Sequence, residues 1–285
     1  MHHDPVRRAA LLLGLALAAC EAPLDPIAPS DRVFSMSGYL DASADTQWVR
    51  VEPFGTVAGP VSGSIDAAVT LVTPDGARVP MTQRVRDFQT GPAHLFWTTE
   101  PVGAGMTYRV EAERSDGALA RATVRMPDDE AVTLTLVDGL INCPTLVIVE
   151  GAERLADVRA RYELLGPARA GEVYEFSKRA SLTRGAGGAF TAQVFFGEDA
   201  TAMEINLFPG VEPIAPEIVV AVATDDWPEV EGLTLEEALA SAELDRVEGG
   251  VGFIGGTVTT TARFIPGYGL LPFPLDPRPP EPCFP

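Results

Sequence analysis

The chain has 285 residues, 46% of them hydrophobic and 21% charged, so it can bury a core and is long enough for two domains or one large β domain. Twenty-seven glycines and 25 prolines favour many turns over long helices. Forty acidic residues against 21 basic ones give a net charge of −19, which excludes non-specific nucleic-acid binding and a basic membrane-surface patch, since both need clustered Lys and Arg.

Residues 1–19 read as a targeting signal, not as fold. Arg7 and Arg8 precede an apolar run, residues 9–19, that is shorter than the ~20 residues a transmembrane helix needs. The run ends in Leu17-Ala18-Ala19-Cys20, which resembles the bacterial lipobox. Small residues there let a peptidase approach the backbone, and the Cys20 thiol takes a diacylglyceryl group and becomes the first residue of the mature chain. Each buried lipid methylene contributes about 0.8 kcal/mol, and two or more acyl chains hold a protein stably at a membrane. Processing removes Arg7, Arg8 and Asp4, a net +1, which takes the charge from −19 to −20. Pro23, Pro26 and Pro29 then favour an extended polyproline tether over residues 20–29.

The body reads as strands. Residues 33–40 place Phe34, Met36 and Leu40 on one face, and residues 47–54 set Trp48, Arg50 and Glu52 against Val49 and Val51. Residues 67–72 and 77–81 flank Asp75-Gly76, and 106–113 and 119–126 flank Asp116-Gly117; Asp-Gly is a strong hairpin signal. A boundary is expected at 127/128, which makes 30–127 the size of one immunoglobulin-like sandwich. The interval 128–271 is expected to be a second β-rich domain, with strands at 132–137, 145–149, 158–165, 173–177, 190–196, 203–208 and 218–224. Residues 184–189 suit a hairpin loop. Thr234 and Glu237 have capping-box spacing, which predicts one short helix ending at Leu244. The fold class is therefore mainly β: an immunoglobulin-like sandwich, then a β-rich domain with one short helix, then a Pro-rich tail at 272–285. With Cys20 lipidated, Cys143 and Cys283 remain in an oxidising compartment, and a disulfide between them would clip that tail to the second half.

Several segments together resemble a family of Gram-negative outer-membrane lipoproteins known as a domain of unknown function, often encoded beside TonB-dependent receptors. They are Cys20 and its tether, Phe34 to Leu40 (FSMSGYL), Ala68 to Val72 leading to Asp75-Gly76, Gly105 to Val110 (GMTYRV), Ala122 to Pro127, and Gly250 to Gly255 (GVGFIG). Where the family often has Tyr-Phe, this chain has Phe253-Ile254. The resemblance implies a cell-envelope, outer-membrane lipoprotein, a TonB-dependent β-barrel receptor as partner, and no catalytic residues.

The remaining candidates are weighed one by one. Gly250-x-Gly252-x-x-Gly255 spells a dinucleotide fingerprint, but a strand follows it where that fingerprint needs a helix, so no cofactor is expected. The plainer reading is a strand that another backbone or a large side chain approaches closely. His94 is the only histidine left after processing and reads as a strand-end surface residue; Lys178 is the only lysine. Asp225-Asp226-Trp227 could bind calcium or a sugar, against the reading of a solvated turn, and Asp128-Asp129-Glu130 reads as a solvated linker. No metal site is expected beyond Asp225 and Asp226. The expected function is a non-enzymatic binding or accessory subunit associated with a TonB-dependent transporter. The alternatives are a structural or adhesive surface module and, third, a hydrolase using a carboxylate pair.

Overall fold

A computed structural model describes residues 32–54, 63–88, 91–128, 132–137, 144–166, 169–205, 212–228 and 246–264. Period-two alternation builds its first lobe. In β1 (Phe34–Asp41) Phe34, Met36 and Leu40 face a core, while Ser35, Ser37 and Tyr39 face the other way. β2 (Gln47–Pro53) pairs antiparallel with β1 and buries Val49 and Val51 on the same side. Beyond it lie β6 (Gly91–Thr98) and β5 (Thr82–Phe88). A second layer, in the order β4-β3-β7-β8, is made of β3 (Ala68–Val72), β4 (Arg78–Pro80), β7 (Thr107–Glu113) and β8 (Leu119–Arg125). Its hairpins turn at Gly76 and Gly117, with φ of +87° and +84°, the left-handed backbone for which the Asp-Gly pairs are suited.

The second lobe repeats the arrangement. β9 (Thr133–Val137), β10 (Thr145–Glu150), β13 (Thr183–Arg184) and β14 (Phe190–Val194) form one layer, in the order β13-β14-β10-β9. The other layer holds β11 (Arg154–Leu165), β12 (Val173–Ser177) and β15 (Glu212–Ala223). The second core contains Val158, Ala160, Tyr162 and Leu164 of β11 with Ile218, Val220 and Val222 of β15.

One strand joins the lobes. β16 (Gly250–Arg263) pairs in parallel with β1 over Gly250–Thr257, then antiparallel with β15 over Thr257–Arg263. The result is a single eight-stranded sheet, β12-β11-β15-β16-β1-β2-β6-β5. Ile254 enters the first core and Phe264, just beyond the strand, enters the second. These positions share a parity along β16, so both smaller sheets pack on the same face of the long sheet. Among the described residues no second sheet packs on its other face.

The fold is mainly β, as its alternation indicates, with four departures in detail. The interval 128–271 does not keep to itself, since it supplies Val247, Ile254 and the β1-pairing half of β16 to the first lobe. β5 and β6 were not expected. β5 is rich in polar residues (TQRVRDF) and carries little apolar signal. The strand expected at 190–196 ends at Val194, and α1 (Phe196–Ala202) follows it. Met203 to Ile205, expected in a strand, continue from that helix in turns; Glu198 and Asp199 in its first turn suit the positive end of the helix dipole. The helix expected at 234–244 lies outside the described residues. Among the described residues no helix is long and apolar enough to cross a membrane.

Candidate functional site

The open face of the long sheet carries aromatic residues where solvent-facing polar ones are the rule. Tyr39, Trp48 and Trp97 are register neighbours across β1, β2 and β6. Trp48 and Trp97 lie with ring centroids 5.9 Å apart and planes 33° apart. Tyr39 is 39% exposed and Trp48 37%. The next register position along this row is Gly255 of β16. A Cβ there would overlap the ring of Trp227, which lies over the glycine. Ala156, Ala221, Ala223 and Phe253 complete the niche that buries Trp227. Trp227 meets Tyr39 edge to face, with centroids 6.4 Å apart.

Beside this row, at the point where β16 passes from β1 to β15, is a small depression. Its lining includes Tyr39, Asp41, Asp157, Arg159, Trp227 and Thr259. Asp157 sits where the β11–β15 register slips by one residue after Leu155, and it is 6% exposed. One of its oxygens, Oδ2, lies 2.9 Å from Arg159 Nε, while Oδ1 is buried without a hydrogen-bond partner. The Trp227 indole Nε1 is likewise buried and unpartnered. Burial pushes the Asp157 carboxyl up, and the pull of Arg159 and Arg179 does not cancel the rise. Burial also raises the Tyr39 hydroxyl against the pull of Arg159, so it stays a neutral donor.

The rim is held in place before any ligand arrives. Thr259 Oγ1 donates to Asp41 Oδ2 at 2.6 Å, and the Ser43 N–H donates to Oδ1 at 2.9 Å. The Gln47 side chain accepts from the Asp41 N–H at 2.8 Å and donates to its carbonyl at 2.9 Å. The surface thus offers flat aromatic faces, a phenol and a guanidinium on fixed strands, with a carboxylate oxygen and an indole N–H buried beneath them. Such a set suits a neutral ligand with one apolar face and hydroxyls at its edge.

The residues singled out from sequence fare differently. Of Asp225-Asp226-Trp227, only the aromatic enters this site. Asp225 accepts from Arg125 at 2.8 Å, and Asp226 accepts from the Thr224 hydroxyl, so the two acids are held by separate partners. Cys20, Cys143 and Cys283 lie outside the described residues, as do Asp129 and Glu130. The glycines of 250–255 do what their plainer reading requires: a Cβ at Gly252 would overlap the Met36 carbonyl, and Gly255 admits Trp227. Tyr39, Asp41, Asp157, Arg159 and Thr259 were missed, because nothing local announces that three distant strands bring them together.

His94 corrects an expectation. It is 1% exposed, not a surface residue, because Phe96 and His94 share the core-facing parity of β6. The β2–β6 ladder ends at Arg50 and Leu95. Beyond it the Glu52 carboxylate takes the place of a backbone acceptor. It accepts from the His94 N–H at 3.0 Å and faces ring Nδ1 at 2.6 Å, while Nε2 lies 2.8 Å from the Gly63 carbonyl. Both ring nitrogens therefore face acceptors.

No protein-family model matches the chain, and no curated protein matches it significantly. Among solved structures the chain is similar to part of a pullulanase from Anoxybacillus sp. LM18-11, at 16% identity and a TM-score of 0.22, covering 72% of this chain and 28% of that one. That pullulanase complexed with maltotriose gives 13% identity and a TM-score of 0.23, over 70% of this chain and 26% of that one. The chain spans about a quarter of the length of those structures. At such scores the likeness carries no argument.

Proposed function

We propose that the protein is a non-enzymatic binding module, held at a membrane by a lipid on Cys20, whose ligand surface is the open face of the long sheet. The observation behind this reading is the meeting of two unmet buried polar atoms, Asp157 Oδ1 and Trp227 Nε1, with an exposed row of aromatic rings at one depression. The ligand class that fits is a hydroxyl-rich neutral molecule, of which a sugar ring is the plainest case. Axial C–H bonds would lie on Trp48 or Tyr39 and ring hydroxyls would meet Asp157 and Trp227. The net charge of −19 disfavours an anionic ligand. In this reading the protein serves as an accessory subunit to a TonB-dependent outer-membrane receptor, a role supported by the family resemblance and by the lipobox at Cys20.

Native affinity electrophoresis of the full chain tests the ligand class, using gels cast with a neutral α-glucan, β-glucan, mannan or galactan. Retardation in at least one gel is expected, with Trp48→Ala and Asp157→Asn each migrating as in the polysaccharide-free gel. Unretarded migration of the folded protein in all four gels overturns the assignment.

A further inference from the structure

We propose that Lys178 and Asp199 join in an intramolecular isopeptide bond that staples the second lobe. Lys178 is the chain's only lysine, so every other cationic side chain is arginine. The amine is the one cationic group that burial can render neutral and nucleophilic, which a guanidinium cannot become. This single lysine is buried, at 9% exposure, and its Nζ lies 2.5 Å from Asp199 Oδ1. Asp199, in the first turn of α1, is 4% exposed, and its Oδ2 accepts from the Tyr162 hydroxyl at 2.6 Å. The Lys178 backbone is fixed as well, donating to the Val158 carbonyl at 2.7 Å and accepting from Ser181 Oγ at 2.9 Å.

The surroundings are aromatic. The Tyr162 ring packs on Phe176, Phe196 and Phe264 with centroids 5.8–6.0 Å away, and Lys178 Nζ lies 5.7 Å from the centre of Phe176. The step begins with transfer of one ammonium proton to the Asp199 carboxylate across the 2.5 Å contact, which gives a neutral amine beside a neutral acid. Burial, then Asp199, push the Tyr162 hydroxyl strongly up, so it remains a donor to Oδ2 and polarises the carbonyl.

The chemistry balances without a further reactant. The amine lone pair attacks Asp199 Cγ and forms the C–N bond. The tetrahedral adduct breaks one C–O bond, and that oxygen leaves as water with the acid proton and one amine proton. Holding the two groups in contact supplies the proximity such a condensation needs. The chain between Lys178 and Asp199 contains β13 and β14, so the bond would tie α1, which follows β14 of the smaller sheet, to the end of β12 in the long one.

Mass spectrometry of the folded full chain decides this, after reduction and with the N-terminus mapped. The expected protein is lighter than its sequence by one water, and an arginine-specific digest yields a branched peptide joining Lys178 to Asp199. Lys178→Arg and Asp199→Ala restore the full mass. Tyr162→Phe, which keeps the ring packing, lowers the joined fraction several-fold. Full mass in the folded wild-type chain overturns the proposal. So does a water loss that fragmentation places at Asp75-Gly76 or Asp116-Gly117, where succinimide formation would account for it.

Discussion

Removing the Glu52 carboxylate tests how the first lobe holds His94. Glu52 accepts from the His94 backbone N–H, meets ring Nδ1 at 2.6 Å, and accepts from Arg50 Nε at 2.9 Å. Glu52→Ala leaves a backbone N–H and a ring nitrogen without an acceptor, beside a residue only 1% exposed. A buried orphaned donor costs about 1–3 kcal/mol, while the half-exposed Arg50 contact contributes about 0–1 kcal/mol. The Glu52 side chain is 24% exposed, so water can partly replace it, which sets the expected loss at about 2–4 kcal/mol. Urea denaturation reads this as a lower midpoint at unchanged slope. A loss below about 0.5 kcal/mol, the size of an ordinary surface substitution, refutes the reasoning.

The same variant carries a pH signature with a defined sign. Burial pushes the Glu52 carboxyl up, but hydrogen bonds from the His94 side chain and backbone and from Arg50 outweigh it and hold the group below its ordinary 4.5. A carboxyl lowered in the folded state adds stability that is present above the unfolded value and lost as pH falls through the folded one. The gap between wild type and Glu52→Ala should therefore hold near neutral pH and narrow below 4.5. A gap that stays constant into acid contradicts the assignment.

The other predictions address the seam, the anchor and the cysteines. Gly252 has φ of +111° and its Cβ position overlaps the Met36 carbonyl, so Gly252→Ala should cost at least about 1–3 kcal/mol. Hydrogen exchange should show β1 and the first half of β16 opening more than β3 and β7; uniform loosening or none counts against the seam. Cys20→Ala should move the protein from the membrane to the soluble fraction, and the lipidated protein, extracted in mild detergent, should recover a β-barrel receptor. Recovery of the anchored lipoprotein alone speaks against the accessory role. Denatured, unreduced mature protein should show no free thiol at Cys143 or Cys283, and two free thiols would remove that disulfide.

How much could be read without a structure varied with how local the signal was. Val49 and Val51 alternate with Trp48 and Arg50, so β2 and its two faces follow from one short stretch. Trp48 was thereby placed outward, but its row was not, because Tyr39 and Trp97 become its neighbours only through strand order. Asp225-Asp226-Trp227 divides between separate surroundings. The acids are taken up by Arg125 and Thr224, and Gly255 makes room for the indole.

By itself the sequence determined that the chain is mainly β and where its Asp-Gly hairpins turn. Those features rest on side-chain alternation and on backbone conformations open to glycine, which act between near neighbours. Only the tertiary structure decided that β1 and β16, from opposite ends of the body, pair in parallel and fuse two sandwiches through one strand. That pairing is set by the joint packing of two cores, which no local window contains. It also decided that Asp157 of β11 faces Tyr39 of β1, that His94 turns inward, and that the only lysine meets Asp199. Each of those contacts depends on which strands become neighbours, so its chemistry exists only once the sheet has closed.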